Sequence, residues 1–168
     1  AGSKKLEVIE TIKVGNSLLH QVNTIKNLQI GEKIKGELNW EKRYEYMKMH
    51  TALHLLCSTI PMGVTGGQIG IIKSRLDFNA DSGEIDKEEV QKKLNKILKK
   101  NIEISYEWIS NKELDKKPEL IRTMSVKPPR VNNKIRLVRI GDIDLQPCGG
   151  THVKNISEIG TIVVGKIE

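Results

Sequence analysis

Two residue pairs constrain this chain more than any other feature: His50 with His54, and far downstream Cys148 with His152. Each pair is set four residues apart. On a helix that spacing turns both side chains to one face, so His50 and His54 can reach a single ion. The second pair spans Gly149-Gly150, which lets the backbone bend tightly. Together the four make a His₂-Cys-His set, and neutral imidazoles with one thiolate are the ligands zinc prefers. A single pair of histidines at this spacing is often incidental. Here only His20 of the four histidines falls outside the two pairs, and a second ligand pair beside a double glycine makes coincidence a poor account. A fold that uses all four must bring residues 50 and 148 together.

Four protein ligands suit a closed structural zinc, whereas a catalytic zinc usually keeps one position open. The sequence allows both. His50-Thr51-Ala52-Leu53-His54 lacks the glutamate that serves as general base in zinc proteases, so peptide hydrolysis is poorly supported. An ester is easier to cleave and needs an activated water and a group to hold the developing oxyanion.

The pattern along the chain is α+β. Residues 6–40 are rich in β-branched and apolar residues punctuated by glycine and asparagine, which predicts short strands at 8–14, 18–22 and 34–38. A helix is expected from residue 40 or 41 to 60, stopped by Pro61 and Gly63. A glycine-rich loop, residues 65–70, should lead into a strand over 71–78. Asp86 with Glu89 reads as a reciprocal N-cap for a helix running to about residue 100. Alternating Ile102, Ile104, Tyr106 and Trp108 predict a strand, 119–124 a short helix, and 135–140 and 161–167 the last strands. The expected organisation is a small β-rich N-terminal domain over 1–40, a partial barrel, and a domain of antiparallel sheet with packed helices over 41–168 that carries the zinc site.

The chain has 168 residues with a formal net charge of +7, which suits a phosphate-rich partner. Acidic residues are interleaved with the basic ones, so a solvated surface explains the charge as well. Two cysteines are too few for a disulfide framework and favour a reducing cytoplasm. Cys57, after Leu55-Leu56, reads as a small buried hydrophobe. No stretch approaches the ~20 apolar residues of a membrane helix. The first five residues are not a secretory signal and read as an expression remnant or an internal starting point.

His50-Thr51-Ala52-Leu53-His54-Leu55-Leu56 and Cys148-Gly149-Gly150-Thr151-His152-Val153, followed by Glu158-Ile159-Gly160, resemble the paired motifs of the alanyl-tRNA synthetase editing domain and of the free-standing editing proteins of the AlaX type. Residues 31–43, 65–69 and 75–78 resemble the neighbouring family segments, so the likeness runs from about residue 30 to the end. It implies one zinc ion held by His50, His54, Cys148 and His152. It also implies hydrolysis of alanine tRNA mischarged with serine or glycine. Thr65 stands where the family places a hydroxyl against the serine side chain, and Gln68 is a second pocket residue suited to orient water or the ester carbonyl. Simple turn chemistry accounts for Thr65 and Gln68 nearly as well. Longer AlaX proteins carry a glycine-rich stretch ahead of the first helix that has no match here, which leaves a short protein or a chain begun inside a longer one.

For tRNA contact the candidates are the lysines of the second helix and Lys127, Arg130, Lys134, Arg136 and Arg139. Three other readings stay open: an editing domain from a complete synthetase, an editing enzyme for another tRNA (the threonyl-tRNA synthetase editing domain being similar), and a non-catalytic tRNA-binding module with a structural zinc.

Overall fold

The computed structural model describes residues 5–15, 17–26, 28–81, 83–124, 128, 130–131 and 133–167. The chain divides into two compact units, residues 1–37 and 38–168. The first unit is built on an antiparallel hairpin of β1 (Val8–Val14) and β2 (Ser17–Val22), closed by Gly15 in the left-handed region. Thr11 and His20 face each other across it, with Thr11 Oγ1 2.8 Å from His20 Nδ1. Spacing along the sequence had given His20 no partner. The strand expected over 34–38 does not form. Ile34 stays exposed, so burial offers that segment nothing that would repay the entropy of extending it.

The second unit starts with α1 (Trp40–Thr59), capped by the Asn39 side chain, which accepts from the Lys42 N–H at 3.0 Å. From Thr51 onward nearly every position is buried. The helix therefore shows no clean apolar stripe, because its second half is packed on more than one face. The Arg122 guanidinium donates to the Cys57, Ile60 and Met62 carbonyls at its C-terminal end, satisfying oxygens that the helix leaves open.

A hairpin of β3 (Val64–Gln68) and β4 (Arg75–Phe78) follows. The expected loop at 65–70 is thus largely a strand. Gly66 and Gly67 sit where a Cβ would press on Asp77 and on the Arg75 carbonyl, so glycine here permits close pairing. Next comes α2 (Lys87–Leu98), whose cap Asp86 accepts from the Glu88 and Glu89 N–H groups. Glu89 does not reach back to complete a reciprocal cap; its carboxylate pairs with Lys93 at 2.7 Å.

A four-stranded antiparallel sheet holds the rest: β5 (Ile104–Ser110), the short α3 (Asn111–Asp115), β6 (Arg130–Val131), β7 (Lys134–Ile140) and β8 (Asp144–Pro147). β7 is central, with β5 along one edge and β6 and β8 sharing the other. It is buried on both faces. Val138 and Ile140 join Ala52 and Leu55 of α1, Leu94 of α2 and Ile156 in the main core, while Ile135 and Leu137 pack with Leu114 in a smaller one.

Two further expectations fail for legible reasons. The helix over 119–124 shrinks to one 3₁₀ turn, Pro118–Leu120, because the backbone of Arg122 and Met124 bonds to Val64 instead. The helical start lies upstream, where Ser110 and Glu113 cap each other reciprocally. Residues 161–167 form no strand. Their backbone is held by the Gln91 side chain, which donates to the Ile162 carbonyl at 3.0 Å and accepts from the Val164 N–H at 2.7 Å. No helix among the described residues is long and apolar enough to cross a membrane.

Candidate metal centre

The fold brings His50, His54, Cys148 and His152 together, with one donor atom from each lying within 4.8 Å of all the others. α1 supplies the first two. The turn leaving β8 supplies the others and is seated on the helix by several bonds. Val153 N–H donates to Thr51 Oγ1 at 3.3 Å, and His50 Nδ1 lies 3.2 Å from the Thr151 carbonyl. A Cβ on Gly150 would overlap the His50 ring, so only glycine allows this approach. Arg136, in the middle of β7, fixes the turn from the other side. Its Nε donates to the Cys148 carbonyl at 2.9 Å and its Nη2 to the Gly150 carbonyl, while the guanidinium lies over the Tyr106 ring.

Hydrogen bonds settle which nitrogen each imidazole turns inward. Thr51 is fully buried and gives its hydroxyl hydrogen to the Met47 carbonyl at 2.9 Å. It can therefore only accept from His152 Nδ1, 3.1 Å away, which makes that nitrogen the protonated one. Asp144 Oδ2 accepts from His54 Nδ1 at 2.9 Å, and the Thr151 carbonyl accepts from His50 Nδ1. All three rings are anchored through Nδ1, so each Nε2 is left for the centre. Such outer partners are how ligating histidines are ordinarily oriented.

The donor types are those a tetrahedral zinc takes, and two of their separations match its geometry. Bonds of ~2.0–2.3 Å at tetrahedral angles place neighbouring donors roughly 3.3–3.6 Å apart. Cys148 Sγ lies 3.5 Å from His50 Nε2 and 3.4 Å from His152 Nε2. Charge is arranged to match. Burial opposes a Cys148 thiolate, but hydrogen bonds with His152, His50 and His54 outweigh it and bring the thiol down to about 3. Burial also disfavours charge on His54, yet Asp144 and Cys148 hold its proton up to about 9. Burial, helped by the neighbouring histidines, brings His152 down to about 4.

One wall of a pocket of about 280 Å³ is made by His50, His54 and Cys148, with Leu53 and Cys57 from the same helix. Thr65 and Gln68 of β3 and Gln146 of β8 line the same pocket. Cys57 is buried as expected, and burial pushes its thiol up. Asp144, Gln146 and Thr51 went unrecognised in the sequence. Asp144, Gln146 and Cys148 alternate as i, i+2, i+4, which places them on one face of a strand running into the ligand turn, and that was the available signal.

The basic candidates fare unevenly. Arg136 is turned inward onto the ligand turn, and Arg139 Nε pairs with Glu107 at 2.5 Å. Lys134 is exposed. Lys127 and the Arg130 side chain lie outside the described residues.

Residues 135–168 match the family described as the threonyl and alanyl tRNA synthetase second additional domain. The chain is 32% identical to an alanyl-tRNA editing protein AlaX-M of Methanosarcina acetivorans, over 98% of this chain and 71% of that protein. An AlaX-L protein of Pyrococcus horikoshii is 37% identical over 80% of this chain and 33% of its own length. The alanine–tRNA ligase of Archaeoglobus fulgidus is 31% identical over the whole chain, which spans 19% of that enzyme.

Proposed function

The chain belongs to the alanyl-tRNA editing proteins of the AlaX type, and from that we propose that it clears serine or glycine wrongly attached to alanine tRNA. It is a hydrolase acting in trans, with mischarged tRNA as substrate and free amino acid and tRNA as products. The alternative, an editing domain of an alanine–tRNA ligase, has less support from the relatives. We assign the chemistry to residues 41–168 and treat the β-rich residues 1–40 as a partial-barrel appendage. The cytoplasm, where charged tRNA is made and used, is the compartment that fits.

The observation that carries the reading is the convergence of three imidazoles and a cysteine, of which His50, His54 and Cys148 line a pocket of about 280 Å³. One zinc ion per chain, held by His50, His54, Cys148 and His152, would supply Lewis acidity toward a water or the ester carbonyl. Asp144, Thr51 and the Thr151 carbonyl keep the three rings aimed. Thr65 and Gln68 line the same pocket as three of the ligands. In this reading Thr65 meets the serine hydroxyl and Gln68 orients the water or the carbonyl. A polar pocket can favour the serine hydroxyl over the alanine methyl, which cannot hydrogen-bond. Phosphate contacts from the basic surface would hold the acceptor end.

The test is deacylation of serine-charged alanine tRNA, with the alanine-charged form as comparison, using zinc-loaded and chelated protein. Zinc-dependent release of serine with alanine spared is expected. No release from either, with tRNA still bound, would make the chain a binding module.

A further inference from the structure

Gln146 is 7% exposed and sits in the pocket wall beside Cys148. Its Nε2 donates to Asp144 Oδ2 at 2.9 Å. A carboxylate only accepts, so the amide cannot be turned the other way without placing two oxygens against each other. That puts the carbonyl oxygen at the far end of the amide, which also gives a hydrogen bond to the Cys57 side chain, and no hydrogen bond to the oxygen itself is found among the described residues. It is not sealed in either. Among those residues the one side-chain oxygen or nitrogen both enclosed and unpartnered is Asn111 Oδ1, on another part of the molecule. An amide in a pocket wall whose oxygen is neither enclosed nor bonded can accept from a bound donor.

The geometry points to Gln146 as the acceptor for the α-ammonium of the aminoacyl ester, an inference that rests on the editing function proposed above. The ester has one cation, and it must lose water on entering. No aspartate or glutamate lines the pocket, so an uncharged oxygen must meet it. Gln146 answers that need without placing a carboxylate, itself a metal ligand, next to Cys148. Asp144 sets the amide's orientation, and the same carboxylate oxygen also holds His54. The contact thereby ties the substrate's amino end to the alignment of the ligands.

The experiment compares Gln146→Met with the wild type on two esters of alanine tRNA: the serine ester, and its deaminated counterpart in which a hydroxyl replaces the amine. Zinc affinity is measured in parallel by chelator competition. A hydrogen bond to a charged group corresponds to roughly a 10- to 100-fold effect. The variant should lose that much kcat/KM on the serine ester and about threefold or less on the deaminated one. Zinc affinity should stay within about threefold. Equal losses on both esters, or a loss that follows weakened zinc binding, would reduce Gln146 to a prop for Asp144 and overturn the inference. Full activity on both would overturn it too. Wild-type protein inactive on the serine ester would refute the editing function, and this assignment with it.

Discussion

Asp144 Oδ2 accepts from His54 Nδ1 at 2.9 Å with both residues buried, joining a strand end to the middle of a helix 90 residues earlier. The carboxylate selects the tautomer that turns His54 Nε2 toward Cys148. Asp144→Asn removes the charge and lets the amide present a donor to the same nitrogen. Zinc affinity should fall about 10- to 100-fold with the circular dichroism spectrum unchanged, as read by chelator competition. Unaltered affinity would mean that helix geometry alone aims His54.

Metal uptake should depend on pH in a defined direction. Without metal, His54 keeps its proton up to about 9, while Cys148 has lost its own above about 3. A metal must therefore displace the His54 proton at neutral pH. Apparent affinity should climb about tenfold per pH unit between roughly 6.5 and 9 from this group alone. Calorimetry in buffers of different ionisation heat would count the released proton, and zero release would contradict the assignment.

The same groups shape the stability of chelated protein. His54, raised above its ordinary value, stabilises the fold below about pH 6.5, and that contribution is lost as pH rises through about 9. Cys148, depressed, contributes above the ordinary thiol range, and its contribution is lost as pH falls through about 3. The two slopes oppose each other between 6.5 and 9, so stability there should be nearly flat. Below 6.5 the depressed His152 adds to the Cys148 trend, and stability should drop steeply toward pH 4. Urea midpoints of chelated protein at pH 5, 7 and 8.5 would check both regimes.

Gly150→Ala should destroy the centre without unfolding the core, because the new methyl overlaps the His50 ring. A loss of zinc affinity of about 100-fold or more is expected if His50 is forced out, since removing a partner that merely orients a ligand already costs about 10- to 100-fold. Gly165→Ala, which meets nothing within 4 Å, is the control and should bind zinc normally.

Leu94 is fully buried between α2 and the main core. Leu94→Ala should cost about 2–5 kcal/mol, measured by urea unfolding of zinc-loaded protein. A smaller effect would show that α2 can settle onto the sheet and close the cavity.

What the sequence disclosed followed from local rules. The bounds of α1, the cap at Asp86 and the strand over 135–140 come from periodicity and punctuation. The four candidate ligands stood out by residue type and spacing. Tertiary competition hid the rest. Val64 takes the backbone bonds of Arg122 and Met124, and Gln91 holds Ile162 and Val164 where a strand would have used a neighbour. Thr65 to Gln68 carry two glycines and pair as a strand because Arg75 and Leu76 approach closely. Asp144 and Gln146 looked like ordinary polar residues on a short strand. Their meaning depends on His54 lying opposite them, which no local window contains.

β7 binds both apolar clusters, and its Arg136 grips the ligand turn through two carbonyls. The turn should therefore open together with the sheet. Amides of residues 134–140 and of the ligand turn should exchange with solvent as one cooperative unit, at the rate of global unfolding. A centre coupled this way would resist loosening by local breathing. Editing by such a protein would have its accuracy set by the same event that sets its lifetime.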